Sequence, residues 1–173
     1  MVTPTPTDLH HHAKRPVTVA AGPYGHPFHP IFVTVPIGAW VASLVFDLAS
    51  FWAEDPQVFT TGALWLIAVG IIGAVVAALF GLLDLVAIPR GTKAFRTGLI
   101  HMGLNLTVVV LFAAGFFLRM GVFDQAPVAP VPLAVSAGAL LLLMVSGWLG
   151  GKLAYTYGVR VADEQEQTSG YTA

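Results

Sequence analysis

The chain has 173 residues, of which 56% are hydrophobic and only 10% charged, with a formal net charge of −1. That length suits one domain, but a soluble domain carries about 25% charged residues, and one this poor in charge could not cover its own surface. Eight scattered basic residues exclude a nucleic-acid surface, and the lack of cysteine excludes disulfides, thiolate metal sites, cysteine nucleophiles and self-ligated iron–sulfur clusters.

Residues 1–24 are rich in Pro and Thr and read as a disordered tail. The run His10, His11 and His12 within it is at most a weak metal binder. The first 30 residues hold no apolar core of the signal-peptide kind, so the first membrane span is expected to act as its own signal. Four long apolar blocks follow, each above the roughly 20 residues that cross a bilayer. Span one runs from about Ile31 to Ala53, with Pro36 in its second turn, where a proline bends or loosens a helix start. Span two runs from about Thr61 to Ile88 and stops at Pro89, span three from about Phe95 to Met120, and span four from about Pro132 to Gly158. Residues 162–173 form a polar C-terminal tail, leaving 25–161 as the membrane domain.

The links Glu54–Thr60, Pro89–Ala94 and Gly121–Val131 are short, which forces consecutive helices to be antiparallel. The expected fold is all-α, an integral membrane four-helix up-down-up-down bundle, because lipid leaves only helical backbone satisfied. Lys14, Arg15, Arg90, Lys93, Arg96, Lys152 and Arg160 lie at one end of the spans, and only Arg119 at the other. The positive-inside rule then places both termini and the second link in the cytoplasm. Gly73, Ala77 and Gly81 in span two, and Gly147, Gly151, Ala154 and Gly158 in span four, read as close-packing faces. No internal repeat is evident, and Gly150-Gly151 lies inside an apolar helix rather than in a phosphate-binding loop.

Ionisable side chains in lipid are costly and seek partners inside the bundle. Counting along the helices at about 1.5 Å per residue puts Asp84, His101, Asn105, Trp148, Lys152 and Tyr155 in one cytoplasm-side layer, with His26 and His29 at the mouth of span one. Asp47 and Arg119 fall toward the other end, placed for an ion pair that fixes helix register. The inner layer has two readings. In one it is architecture: Asp84 neutralises Lys152, or Lys152 snorkels to the headgroups, and His101, Asn105 and Tyr155 share a hydrogen-bond network. In the other it holds a cofactor, either haem b with His101 and His29 or His26 as iron ligands, or a quinone held by the histidines as hydrogen-bond donors. Asp84 would then orient a histidine or carry a proton, and Lys152 would balance a carboxylate or propionate. A divalent metal held by His26, His29, His101 and Asp84 is a weaker variant. Ser43, Ser136 and Ser146 read as ordinary packing serines, no Ser/His/Asp set has recognisable spacing, and the chain is not expected to be an enzyme on its own.

The motif Gly25-His-Pro-Phe-His-Pro-Ile-Phe-Val-Thr-Val-Pro-Ile-Gly38 is followed in order by Phe46-Asp47-Leu48, Gly81-Leu-Leu-Asp84, His101 to Asn105, Arg119, and Gly147-Trp-Leu-Gly-Gly-Lys152 with Tyr155 and Gly158. This set resembles the bacterial membrane-protein family catalogued as domain of unknown function 2231, over roughly residues 22 to 161. The resemblance implies a four-span domain in a bacterial cytoplasmic membrane and brings no activity with it. Some relatives carry a Rieske-type iron–sulfur domain on the same chain, which implies electron transfer. This chain lacks the cysteines for one, so that implication reaches it only through other membrane redox subunits. Three functions therefore stand: a redox-associated subunit binding haem b or quinone, a non-catalytic accessory protein whose glycine faces meet partner helices or a second copy, and a proton or ion path through Asp47 and Asp84.

Overall fold

A computed structural model describes residues 4–22, 26–123 and 125–172, and among these every regular element is helical. Gly25, which opens the family-like motif, lies outside the described residues. The helices are α1 (Pro6–Lys14), α2 (Phe28–Phe32), α3 (Thr34–Ala49), α4 (Pro56–Ala87), α5 (Lys93–Met120), α6 (Pro130–Gly151) and α7 (Glu164–Ser169). Four stretches are long and apolar enough to cross a membrane: Phe28–Ala49, Pro56–Ala87, Lys93–Met120 and Pro130–Thr156.

Local chemistry sets the boundaries. Pro56 and Pro130 stand at the first turns of α4 and α6, where a missing N–H costs nothing. The expected span starts at Thr61 and Pro132 fall five and two residues inside the helices for this reason. Thr92 caps α5 by accepting from the Phe95 N–H at 3.1 Å. Pro36 has no N–H for the carbonyl of Phe32, and the first span breaks at Val33, one turn earlier, into α2 and α3. At its far end α6 widens into a π-turn over Lys152–Thr156 before Gly158 turns the chain at φ +67°.

Contacts between consecutive helices run in opposite order along the chain. Phe46 lies against Gly62, Val35 against Gly73 and His29 against Gly81. Arg119 reaches Pro132 and Ser136, and His101 reaches Ser146. Leu85 packs on Gly98, while Gln57 bonds the carbonyl of Phe123. The bundle is therefore two antiparallel hairpins, α2/α3 with α4 and α5 with α6, placed side by side. Its centre is Trp40, Ile67, Val108, Phe112 and Ala139, all essentially inaccessible. Around it, Trp65, Phe117, Met144 and Trp148 face outward, as they would toward lipid.

The described part of the N-terminal tail carries a short helix. Thr5 and Asp8 form a reciprocal capping box that starts α1 with Pro6 at its first turn. These bonds hold the Asp8 carboxyl below the usual carboxylate range, the Thr5 hydroxyl contributing most. His12 Nδ1 lies 3.0 Å from the Ala87 carbonyl, Lys14 donates to the Ala162 carbonyl at 3.0 Å, and the Arg160 N–H donates to the Ala13 carbonyl at 3.2 Å. The tail is tied to the end of the bundle where both termini lie. In the three-histidine run one ring bonds the α4 terminus, and among the described residues no three His, Cys, Asp or Glu side chains converge.

Candidate functional site

Two charged pairs are buried at opposite ends of the bundle. Arg119 grips Asp47 through both terminal nitrogens, at 3.1 and 2.6 Å, and also donates to Ser136 Oγ at 3.0 Å and the Pro132 carbonyl at 3.3 Å. Asp47 is fully buried and Arg119 nearly so. Such two-pronged pairing gives an ion pair in apolar surroundings its geometry. Ser50 Oγ donates to the Asp47 carbonyl and accepts from the Val128 N–H, tying the third link to the same cluster.

At the termini end, Asp84 pairs with Arg160 and not with Lys152. Arg160 Nε lies 2.8 Å from Asp84 Oδ1, and Nη2 donates to the Ala21 carbonyl at 3.2 Å. Arg160 holds a left-handed backbone, φ +59°, which costs an L-residue roughly 1–2 kcal/mol. The turn at Gly158 and that conformation carry the guanidinium back under the bundle to the carboxylate for which Lys152 was the expected partner. Lys152 instead places Nζ over the rings of Trp148 and Tyr157, at 5.7 and 5.6 Å.

Between the two pairs, nearer the termini end, His29 and His101 meet with ring centroids 6.2 Å apart and planes at 90°. His29 Nδ1 is 2.9 Å from the Ala77 carbonyl. His101 Nδ1 is 2.8 Å from the Ser146 carbonyl and 3.0 Å from Ser146 Oγ. A carbonyl only accepts, so Nδ1 is the donor in both rings, and in the neutral imidazole the lone pair is then on Nε2. In each case the ring lies over a glycine four residues beyond the carbonyl. A Cβ on Gly81 would come within 3.0 Å of His29, and one on Gly150 within 3.1 Å of His101. Glycine opens the helix surface so that a carbonyl already bonded within its helix takes a second donor. Asn105 Nδ2 is 3.1 Å from Nε2 and 3.4 Å from Nδ1 of His101. Near-equal distances to both nitrogens put the amide broadside to the ring, outside the in-plane direction of the Nε2 lone pair.

Of the residues expected in this layer, the structure thus gathers His29, His101 and Asn105, with Asp84 one turn along α4 from Gly81. His26 is exposed, Tyr155 is 92% exposed and Trp148 69% exposed, and none of these three joins it. The expected His101–Asn105–Tyr155 network therefore lacks its tyrosine, and the four-residue metal set lacks His26. Arg160, Ser146 and the carbonyl of Ala77 are the members that sequence reasoning missed. Ser146 is not simple packing: its hydroxyl also donates to the His101 carbonyl at 3.3 Å, just as Ser136 serves Arg119.

Four apolar helices around paired buried charges define a polytopic helical membrane protein. Residues 25–163 match the family described as predicted membrane protein (DUF2231), and the chain belongs to that family. No curated protein and no solved structure gives a match.

Proposed function

We propose that this protein is a redox-associated subunit of a bacterial cytoplasmic membrane, with both termini and the Arg90–Lys93 link in the cytoplasm, and that His29 and His101 hold a cofactor of the haem b or quinone kind. The observation that carries the reading is the pair itself. Two imidazoles from different hairpins meet at 6.2 Å inside an apolar bundle, each aimed by a bond from Nδ1 to backbone. Bracing of that kind fixes tautomer and ring orientation in metal-ligating histidines. A core that needed only packing would be better served by apolar side chains. Asp84 and Arg160 close the site on its terminal side and cancel each other's charge.

The test is to purify the full chain from cells supplied with haem precursor and to extract its lipids and quinones for analysis. A visible haem spectrum, or stoichiometric quinone, either lost in His101→Ala, is the expected result. Protein that is folded and carries neither would contradict the reading.

The two buried ion pairs favour a second reading, an accessory protein without chemistry, since each carboxylate is held by an arginine of the same chain. On that reading, His101→Ala lowers assembly with partner subunits and leaves electron flow per assembled complex unchanged. The proton-path reading has less support, because the carboxylates Asp47 and Asp84 are each locked to an arginine.

A further inference from the structure

Trp40 lies 11 residues after His29, and Asp47 seven after Trp40; Phe112 lies 11 after His101, and Arg119 seven after Phe112. Each residue meets its counterpart. The histidines face at 6.2 Å, Trp40 stacks on Phe112 at 4.2 Å with planes 8° apart, and Asp47 pairs with Arg119 at 2.6 Å. The partner helices keep the same order. His29 uses the carbonyl of Ala77 and the gap at Gly81, and His101 that of Ser146 and the gap at Gly150. Seven residues before those carbonyls, Gly70 lies against Trp40 and Ala139 in the core cluster with Phe112. Position i of one unit meeting position i of the other is the signature of a two-fold axis. Both hairpins start at the termini end, so the axis runs along the helices, as in parallel repeats of membrane proteins.

We propose that the chain is two fused copies of one helical hairpin, and that His29 and His101, the same residue twice, are trans axial ligands to one iron porphyrin on the axis between them. The proposal rests on the cofactor reading above and selects within it. With Nδ1 committed to a backbone carbonyl, each ring in its neutral form presents an Nε2 lone pair, which binds a metal and cannot donate to an oxidised quinone's carbonyl. Metal–nitrogen bonds of about 2.0–2.1 Å plus roughly 1.1 Å from nitrogen to ring centre separate trans imidazole centroids by about 6.3 Å, against about 5 Å for a tetrahedral pair. The observed centroid separation of 6.2 Å matches the trans spacing and not the tetrahedral one. Edge-to-face contact of aromatic rings spans about 4.5–7 Å and would allow either, so a second fact decides. No third His, Cys, Asp or Glu joins the pair among the described residues. A free ion would be short of ligands, whereas a porphyrin brings four nitrogens of its own. Phe28, Phe32 and Phe80, packed together at 5.0–6.2 Å, offer apolar aromatic surface beside His29.

The experiment titrates haemin into the detergent-purified full chain and records absorption and electron paramagnetic resonance spectra, with ubiquinone as the competing probe. One haem per chain, six-coordinate and low-spin, is expected. His29→Ala and His101→Ala should each weaken binding by more than about 100-fold, and Gly150→Ala by about 10–100-fold, the range for residues that orient a ligand. His29→Gly with added imidazole should regain the low-spin spectrum, which separates lost ligation from lost folding. Five-coordinate haem indifferent to His29→Ala would overturn the axial pair and spare the cofactor reading. Quinone bound where haem is not would do the same. Binding of neither would overturn both.

Discussion

Arg160 is where a single side chain decides most. Its guanidinium neutralises Asp84, and its backbone is held left-handed. Glycine would relieve the backbone, yet Arg160→Gly should still destabilise the protein. Orphaning a buried charge costs about 3–5 kcal/mol, more than the roughly 1–2 kcal/mol recovered from φ. Asp84→Leu with Arg160→Leu should recover much of the loss. Unfolding in detergent followed by circular dichroism measures both; equal melting of Arg160→Gly and the parent would show that the pair contributes nothing. This partnership was not legible in the sequence, because Arg160 follows the glycine that ends span four and looks like a surface cation. Asp47 with Arg119 was legible, since depth brings the two together and Arg119 is the one basic residue near that end of the spans. Trp148 and Tyr155 were misplaced because depth says nothing of helix phase: Trp148 lies about 200° round α6 from Ser146, on the opposite face.

The helices themselves were read nearly in full, because long apolar runs between prolines leave few alternatives. What escaped was α1, built by two local interactions, a capping box and a docked end, in a segment whose composition suggests none. Its cap gives a pH dependence. Asp8 is depressed in the folded chain, so its contribution is present above the unfolded carboxylate value and is lost as pH falls through the lower folded value. Hydrogen exchange in α1, corrected for the intrinsic rate, should therefore speed up below the carboxylate range and not between neutral and mildly acidic pH. In the core, Trp40→Ala should cost about 3–5 kcal/mol. Trp40 and Phe112, stacked face to face, should couple by about 0.5–1.5 kcal/mol in a double-mutant cycle. Additive losses would mean that the stack joining the hairpins carries no energy of its own.

For the molecule as a whole, the absence of cysteine makes topology directly testable. Single cysteines at Thr7, Lys93 and Gln165 should react with an impermeant thiol reagent only from the cytoplasmic side, and one at Glu54 only from the other. The repeat within the fold was invisible in the sequence because, of the three pairs that meet on the axis, only His29 and His101 share a residue type; Trp40 and Phe112, Asp47 and Arg119, and off the axis Gly38 and Val110, all differ. The central claim is that the two hairpins bring His29 and His101 face to face. The direct measurement is a His29→Cys, His101→Cys double variant treated with a short bifunctional thiol reagent, then cut by protease at a site built into the Pro89–Thr92 link. The two halves should stay covalently joined and run as one species on a denaturing gel. Halves that separate as freely as those of either single-cysteine variant would contradict the account.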